Sequence, residues 1–259
     1  MCSLISKTHK VIHCQCIVQQ IMPPKATRKS VSFQANVGDT TDQLTNTFKA
    51  VVPRIKKSVM VLPFHLLLNL YGMFHFGLTA DPFNSIVKGY VNLVVLQLVY
   101  GYLYATSFIE KAGKKKKVEN DNAPLLVVSA TVISIGLANV VFVILILFGA
   151  PLSSNLKESY ALAYHLSLII FQPLLIAYKL NYEQFFSLFK MDKIYRAVFT
   201  NPVLASSFFA VVGTWFGVLP IPLDWDRPWQ QWPITLMCGG YLGAFFGAVV
   251  ALLPIDQLT

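Results

Sequence analysis

The chain has 259 residues, of which 55% are hydrophobic and only 13% charged, and its formal net charge is +9. A soluble domain carries about 25% charged residues, so the composition excludes an ordinary water-soluble enzyme. The basic balance does not indicate nucleic acid, because the cations sit in a tail and two alternate loops rather than on a folded polar face.

Residues 1–57 form a polar, basic stretch with no sustained hydrophobic period, which predicts a disordered tail. Cys2, Cys14 and Cys16 lie in it, and Cys238 lies inside an apolar run, so no disulfide framework is expected. The first residues lack a continuous apolar core, so the first apolar helix is expected to act as its own insertion signal. His9, His13, Cys14 and Cys16 are too short a cluster, in too polar a tail, to be read as a metal site.

From residue 58 to 259 the sequence predicts one all-α membrane domain. Six apolar stretches follow, at about 59–78, 90–109, 124–149, 160–178, 203–221 and 233–253. Each is close to the roughly 20 residues that cross a hydrocarbon core. The tail and the loops after the second and fourth stretches hold 18 Lys and Arg, against 3 in the other loops. Basic segments stay cytoplasmic, which predicts six transmembrane helices with both termini in the cytoplasm. Gly101 is a point where the second stretch could break. No stretch carries a carboxylate, Lys or Arg at its centre, which argues against an ion-coupled transporter or lipid carrier. His65, Asn69, Asn92, Gln97, Asn139 and Gln172 are expected to hydrogen-bond between helices.

The loop 179–201 alternates Tyr182, Phe185, Phe186, Phe189 and Tyr195 with Lys190, Lys193 and Arg196. That pattern predicts a short amphipathic helix in the membrane interface, read first as a connector and second as a lipid or partner site. The run Lys114 to Lys117 reads as a topology determinant.

The densest signal joins the last two stretches. Leu219 to Pro233 reads Leu-Pro-Ile-Pro-Leu-Asp-Trp-Asp-Arg-Pro-Trp-Gln-Gln-Trp-Pro, and all four tryptophans, Trp215, Trp225, Trp229 and Trp232, fall in or beside it. Trp suits the headgroup layer, where its ring is apolar and its N–H finds a polar partner. Prolines stiffen such a turn. A rigid interfacial connector and a recognition surface both fit. A catalytic reading would use Asp224 and Asp226, with His75, Asp81 and His165 near the same side, but two carboxylates two apart are a thin ligand set. No metal or cofactor is expected. The last stretch carries Gly239, Gly243, Gly247 and Ala251 on one stripe, and Gly213 and Gly217 form a shorter one in the stretch before it. Such stripes let helix backbones approach closely.

The run Gly213 to Pro233, and above all Pro222 to Gln230, resembles the carboxy-terminal signature of the PIG-F family. The resemblance implies a multi-pass protein of the endoplasmic reticulum membrane in glycosylphosphatidylinositol (GPI) anchor biosynthesis. It implies a non-catalytic subunit that binds and stabilises large transferases of the PIG-O and PIG-G types, which add phosphoethanolamine to mannoses of the GPI precursor. Under that reading Pro222, Asp224, Trp225, Asp226, Arg227, Pro228, Trp229 and Trp232 meet the partner or membrane lipid, and Gly239, Gly243 and Gly247 pack helices. The alternative is an intramembrane enzyme acting on a lipid phosphodiester through Asp224, Asp226 and His165.

Overall fold

A computed structural model describes residues 52–56, 58–109, 122–151, 154–190, 194–222 and 227–253, and these are helical throughout apart from turns and one isolated bridge. In chain order the α-helices are α1 (Phe64–His75), α2 (Pro82–Leu103), α3 (Ala123–Leu147), α4 (Leu156–Ala177), α5 (Tyr182–Leu188), α6 (Ile194–Thr200), α7 (Pro202–Phe216) and α8 (Ile234–Leu252). A 3₁₀ turn, Val59–Val61, precedes α1, and a π-helical turn, Tyr104–Phe108, continues α2.

Of the six expected stretches, four are helices long and apolar enough to cross a membrane: α2 with its π turn, α3, α4 and α8. The other two are short. The first stretch is interrupted at Leu62 and Pro63, because proline pushes the residue before it into extended backbone, and Leu62 sits at ψ 131°. The remaining α1 has 12 residues, about 18 Å of helix. The fifth stretch yields the 15-residue α7, and the axis turns by 101° between α6 and α7. Asn201 makes that corner. Its Oδ1 accepts from the amides of Val203 and Leu204, and its Nδ2 donates to the Pro53 carbonyl at 3.0 Å. The second stretch begins earlier than expected, at Pro82. Asp81 caps it by accepting from the Asn84 amide and side chain. Those bonds hold the Asp81 carboxyl below its ordinary pKa. The cap is therefore intact at neutral pH and is lost as pH falls through the lowered value. The interfacial segment is two short helices, α5 and α6, rather than one. Gly101 sits inside α2, against Ile176 and Val127, and the irregular turn comes three residues later.

The most extensive helix pairing is α7 with α8. The glycines explain it. A Cβ built on Gly213, Gly217, Gly239, Gly243 or Gly247 would lie within 3.0 Å of a backbone oxygen of the facing helix. Gly213 faces Gly239, Gly217 faces Thr235, Gly243 faces Phe209 and Gly247 faces Ala205. The two stripes read in the sequence therefore meet each other within the chain.

Two buried polar networks tie the remaining helices together. His165 on α4 is fully enclosed. Its Nε2 lies 2.9 Å from the Ile86 carbonyl and its Nδ1 2.7 Å from the Tyr241 hydroxyl. A carbonyl only accepts, so Nε2 carries the proton and the Tyr241 hydroxyl donates to Nδ1. Asn69 Nδ2 completes the set by donating to the Tyr241 oxygen at 3.0 Å and to the Gly89 carbonyl at 3.2 Å. One network thus joins α1, α2, α4 and α8. In the second, Gln172 Nε2 donates to Thr131 Oγ1 at 2.8 Å and to the Gln97 carbonyl at 3.3 Å, linking α4, α3 and α2. Asn69 and Gln172 are interhelical through their side-chain amides as expected, Gln97 takes part through its backbone carbonyl, and His65 packs on the Tyr100 ring. Asn92 is the exception: it is exposed on α2. Asn139, also exposed, accepts from the Tyr160 hydroxyl of the neighbouring α4.

Substitution should separate the packing glycines from the rest. Gly239→Ala and Gly243→Ala should each destabilise by about 1–3 kcal/mol through overpacking. Gly72→Ala and Gly136→Ala, with nothing within 4 Å of a new Cβ, should stabilise by roughly 0.5–1 kcal/mol. Thermal unfolding of the purified chain in one detergent measures both. Tyr241→Phe strips the hydroxyl from between His165 and Asn69 and should cost about 1–3 kcal/mol in the same assay.

Candidate functional site

The hairpin between α7 and α8 is described for 217–222 and 227–233. Asp224, Trp225 and Asp226 lie outside the described residues. The first arm leaves α7 as a run of tight turns, with Val218, Leu219 and Ile221 amides donating to carbonyls three residues back. The second arm is a single 3₁₀ turn, Pro228–Gln230. Gln230 joins the arms. Its Oε1 accepts from the Arg227 amide at 2.8 Å, and its Nε2 donates to the Pro220 carbonyl at 2.8 Å. Both lone amide functions of one side chain are thereby used to close the loop. Sequence reasoning did not single out Gln230 as a site residue. The signal was present: Arg-Pro-Trp-Gln places Pro first in a helical turn and Gln third, the position from which a side chain reaches back to the capping amide.

The tryptophans divide into two kinds. Trp232 is half-buried against the main apolar core, and its Nε1 donates to Ser159 Oγ at 2.9 Å. Ser159 is itself buried and donates to the Asn155 carbonyl at 2.8 Å. Trp232 thus fastens the hairpin to the start of α4. Trp215, at 61% exposure, and Trp229, at 36%, face outward. Phe216, Val218, Leu219 and Ile221 continue that exposed apolar face. Pro222, Arg227 and Pro228 are exposed along its rim.

The sequence-predicted site residues are therefore not all alike. Arg227, Pro228, Trp229 and Pro222 are available at the surface, Trp232 is an internal fastener, and Gly239, Gly243 and Gly247 are spent on α7. His75, Asp81 and His165 do not converge. His75 is exposed at the end of α1 between Tyr71 and Phe76, and Asp81 is the exposed cap of α2. His165 was expected near the end of its helix. It lies instead in the tenth position of α4, about 14 Å from the first residue, with both ring nitrogens engaged. Among the described residues no three His, Cys, Asp or Glu side chains come close enough to hold a metal ion.

An apolar bundle of helices, fastened by glycine contacts and topped by a tryptophan-lined hairpin, defines a multi-pass membrane protein. The family model described as GPI biosynthesis protein family Pig-F matches residues 61–252, from before α1 to the end of α8. The chain belongs to that family. It is 47% identical to glycosylphosphatidylinositol anchor biosynthesis protein 11 of Debaryomyces hansenii, over 90% of this chain and 99% of that one. The protein of the same description from Candida albicans is 38% identical, over 87% of this chain and 95% of the other. That from Yarrowia lipolytica is 31% identical over 86% and 91%. No solved structure matches the chain. Family membership gives it a role in GPI-anchor biosynthesis.

The two kinds of tryptophan should behave differently on substitution. Trp232→Phe loses the Ser159 bond and should lower stability by about 1 kcal/mol. Trp215→Phe, at the most exposed of the described tryptophans, should leave stability within about 0.5 kcal/mol, as surface changes do. Unfolding midpoints of the two purified variants, compared in parallel, check the division.

Proposed function

We propose that this chain is a non-catalytic subunit of the endoplasmic reticulum membrane that binds and stabilises GPI ethanolamine-phosphate transferases of the PIG-O and PIG-G types. Membership of the Pig-F family carries the reading. In it, six membrane-crossing segments leave both termini in the cytoplasm and the tryptophan hairpin in the lumenal interface. The large partner transfers phosphoethanolamine to mannoses of the GPI precursor. This chain supplies the membrane surface on which the partner or its glycolipid rests. The exposed Trp215 and Trp229 are suited to that work, since Trp is enriched at the centres of binding interfaces. Arg227 stands exposed at the rim of the hairpin beside them.

The alternative, an enzyme acting through Asp224, Asp226 and His165, needs the imidazole at the hairpin. The enclosure of His165 among Ile86, Tyr241 and Asn69, with no nitrogen to spare, favours the subunit reading. Tagged chain drawn gently from membranes should bring a large transferase with it. Trp229→Ala or Asp226→Ala should reduce that transferase and the phosphoethanolamine-bearing GPI intermediates, while the chain itself still inserts. Normal transferase levels with a normal GPI profile in both variants would exclude the hairpin as the contact. A chain that comes alone and turns over a phospholipid would exclude the subunit reading altogether.

A further inference from the structure

The end of the bundle opposite the hairpin carries a second surface, built from three parts of the chain. The strap 52–56 reaches it from the tail. Its Lys56 amide donates to the Phe108 carbonyl at 2.9 Å, Ile55 bridges Ile109, and the Pro53 carbonyl accepts from Asn201. The ends of α2 and α4 finish there, and α5 and α6 fold across it. One apolar cluster binds these parts from within, including Val52, Tyr178, Leu188, Ala197 and Leu204. The outer side is of opposite character. Arg54, Lys56, Lys179, Lys190 and Arg196 are all exposed on it, and Glu183 is the single carboxylate described on these segments. The same segments carry exposed aromatic rings: Tyr182, Phe186, Phe189 and Tyr195, each more than half exposed.

Exposed rings among cations would be a liability in water. They fit one environment, the headgroup layer of an anionic leaflet, where the rings enter the upper acyl region and the cations meet phosphate.

Lys179 adds an independent sign. Three helices here end in the same hydrogen-bonded turn, in which the second residue past the helix cap donates to the carbonyl five residues back. These bonds are Leu78 to Met73, Ala150 to Leu145 and Leu180 to Leu175. The residue just before, which takes a left-handed conformation, is Gly77 in the first turn and Gly149 in the second, at φ 90° and 98°. In the third it is Lys179, at φ 50°, followed by Leu180 at φ 60°. A side chain in this region costs energy that glycine avoids. The position next to the end of α4 thus holds a cation against the local preference of the backbone, and strain kept in this way marks positions with a task.

We propose that the strap, the Lys179 turn, α5 and α6 form a binding site for acidic phospholipid headgroups. Lys179, Lys190 and Arg196 supply the charge, with Arg54 and Lys56 beside them, and the rings of α5 and α6 hold the site at headgroup depth. The site is separate from the hairpin and does not depend on the transferase reading.

The test uses the full chain, purified in mild detergent and placed in nanodiscs of phosphatidylcholine with or without phosphatidylserine. Native mass spectrometry after stepwise delipidation reads which lipid stays. The wild-type chain should keep phosphatidylserine in preference to phosphatidylcholine, less so at high salt. Lys190→Gln should weaken that preference roughly fivefold, and Lys179→Gly/Lys190→Gln/Arg196→Gln should abolish it. Lys179→Gly alone is the sharpest variant. It relieves the backbone, so its unfolding midpoint should hold or rise while its preference for phosphatidylserine falls. A raised midpoint with unchanged lipid preference would make Lys179 a turn residue only and overturn the proposal. So would a wild-type chain with no preference, or a preference lost on neutralising Lys114 to Lys117 but kept in the triple variant. Loss of a co-purifying protein from the triple variant, with its lipids unchanged, would assign the surface to a protein instead. Should the triple variant fail to fold, the two single variants make the same comparison.

Discussion

Everything in this fold leans on the backbone-to-backbone contact between α7 and α8. Inside a bilayer, lipid tails are as apolar as leucine, so burying apolar area gives helices little reason to associate. Close packing must supply it. Five glycines bring the two backbones near enough that a single methyl group would strike a carbonyl oxygen. That seat fixes the rotation of α8 about its own axis. Tyr241 lies between Gly239 and Gly243 in sequence, so its ring is turned away from α7 and into the centre, where the hydroxyl meets His165 and Asn69. The polar network is therefore a consequence of the glycine contact.

The network also sets a limit on chemistry. A histidine buried in a membrane protein invites a functional reading. Here the ring uses one nitrogen as donor and the other as acceptor, within a network of carbonyl, hydroxyl and amide groups from three other helices. Such a ring positions helices. The outward-facing chemistry is left to the two ends of the bundle, and the ends differ. One is apolar and aromatic with a stiff backbone, and the other is cationic and aromatic around a strained turn.

Much of this was legible in the sequence, in particular ways. The glycine stripes at 213–217 and 239–247 gave the helix pair, although sequence could not say whether the partner lay within the chain. Pro222 to Gln230 carried the family. Asn69 and Gln172 were recognised as interhelical because amides in an apolar run need partners. What escaped depended on direction and depth. A hydropathy window cannot tell a continuous helix from one interrupted at Pro63, since Leu, Pro and Phe all read as apolar. Counting along the chain placed His165 near a helix end, because α4 begins earlier than its apolar run. Among the four tryptophans, which one faces inward depends on Ser159, distant in sequence and polar. The conformation of Lys179 had no signal at all, because sequence favours glycine where the chain has lysine.

The unequal helix lengths have a consequence for the surrounding membrane. The 12-residue α1 offers a wall of about 18 Å, and the 25-residue α3 one of about 37 Å. A hydrocarbon core is roughly 30 Å thick. A membrane helix shorter than the core is matched by local thinning, and a longer one by tilt or thickening. The two helices therefore match hydrocarbon of different thickness.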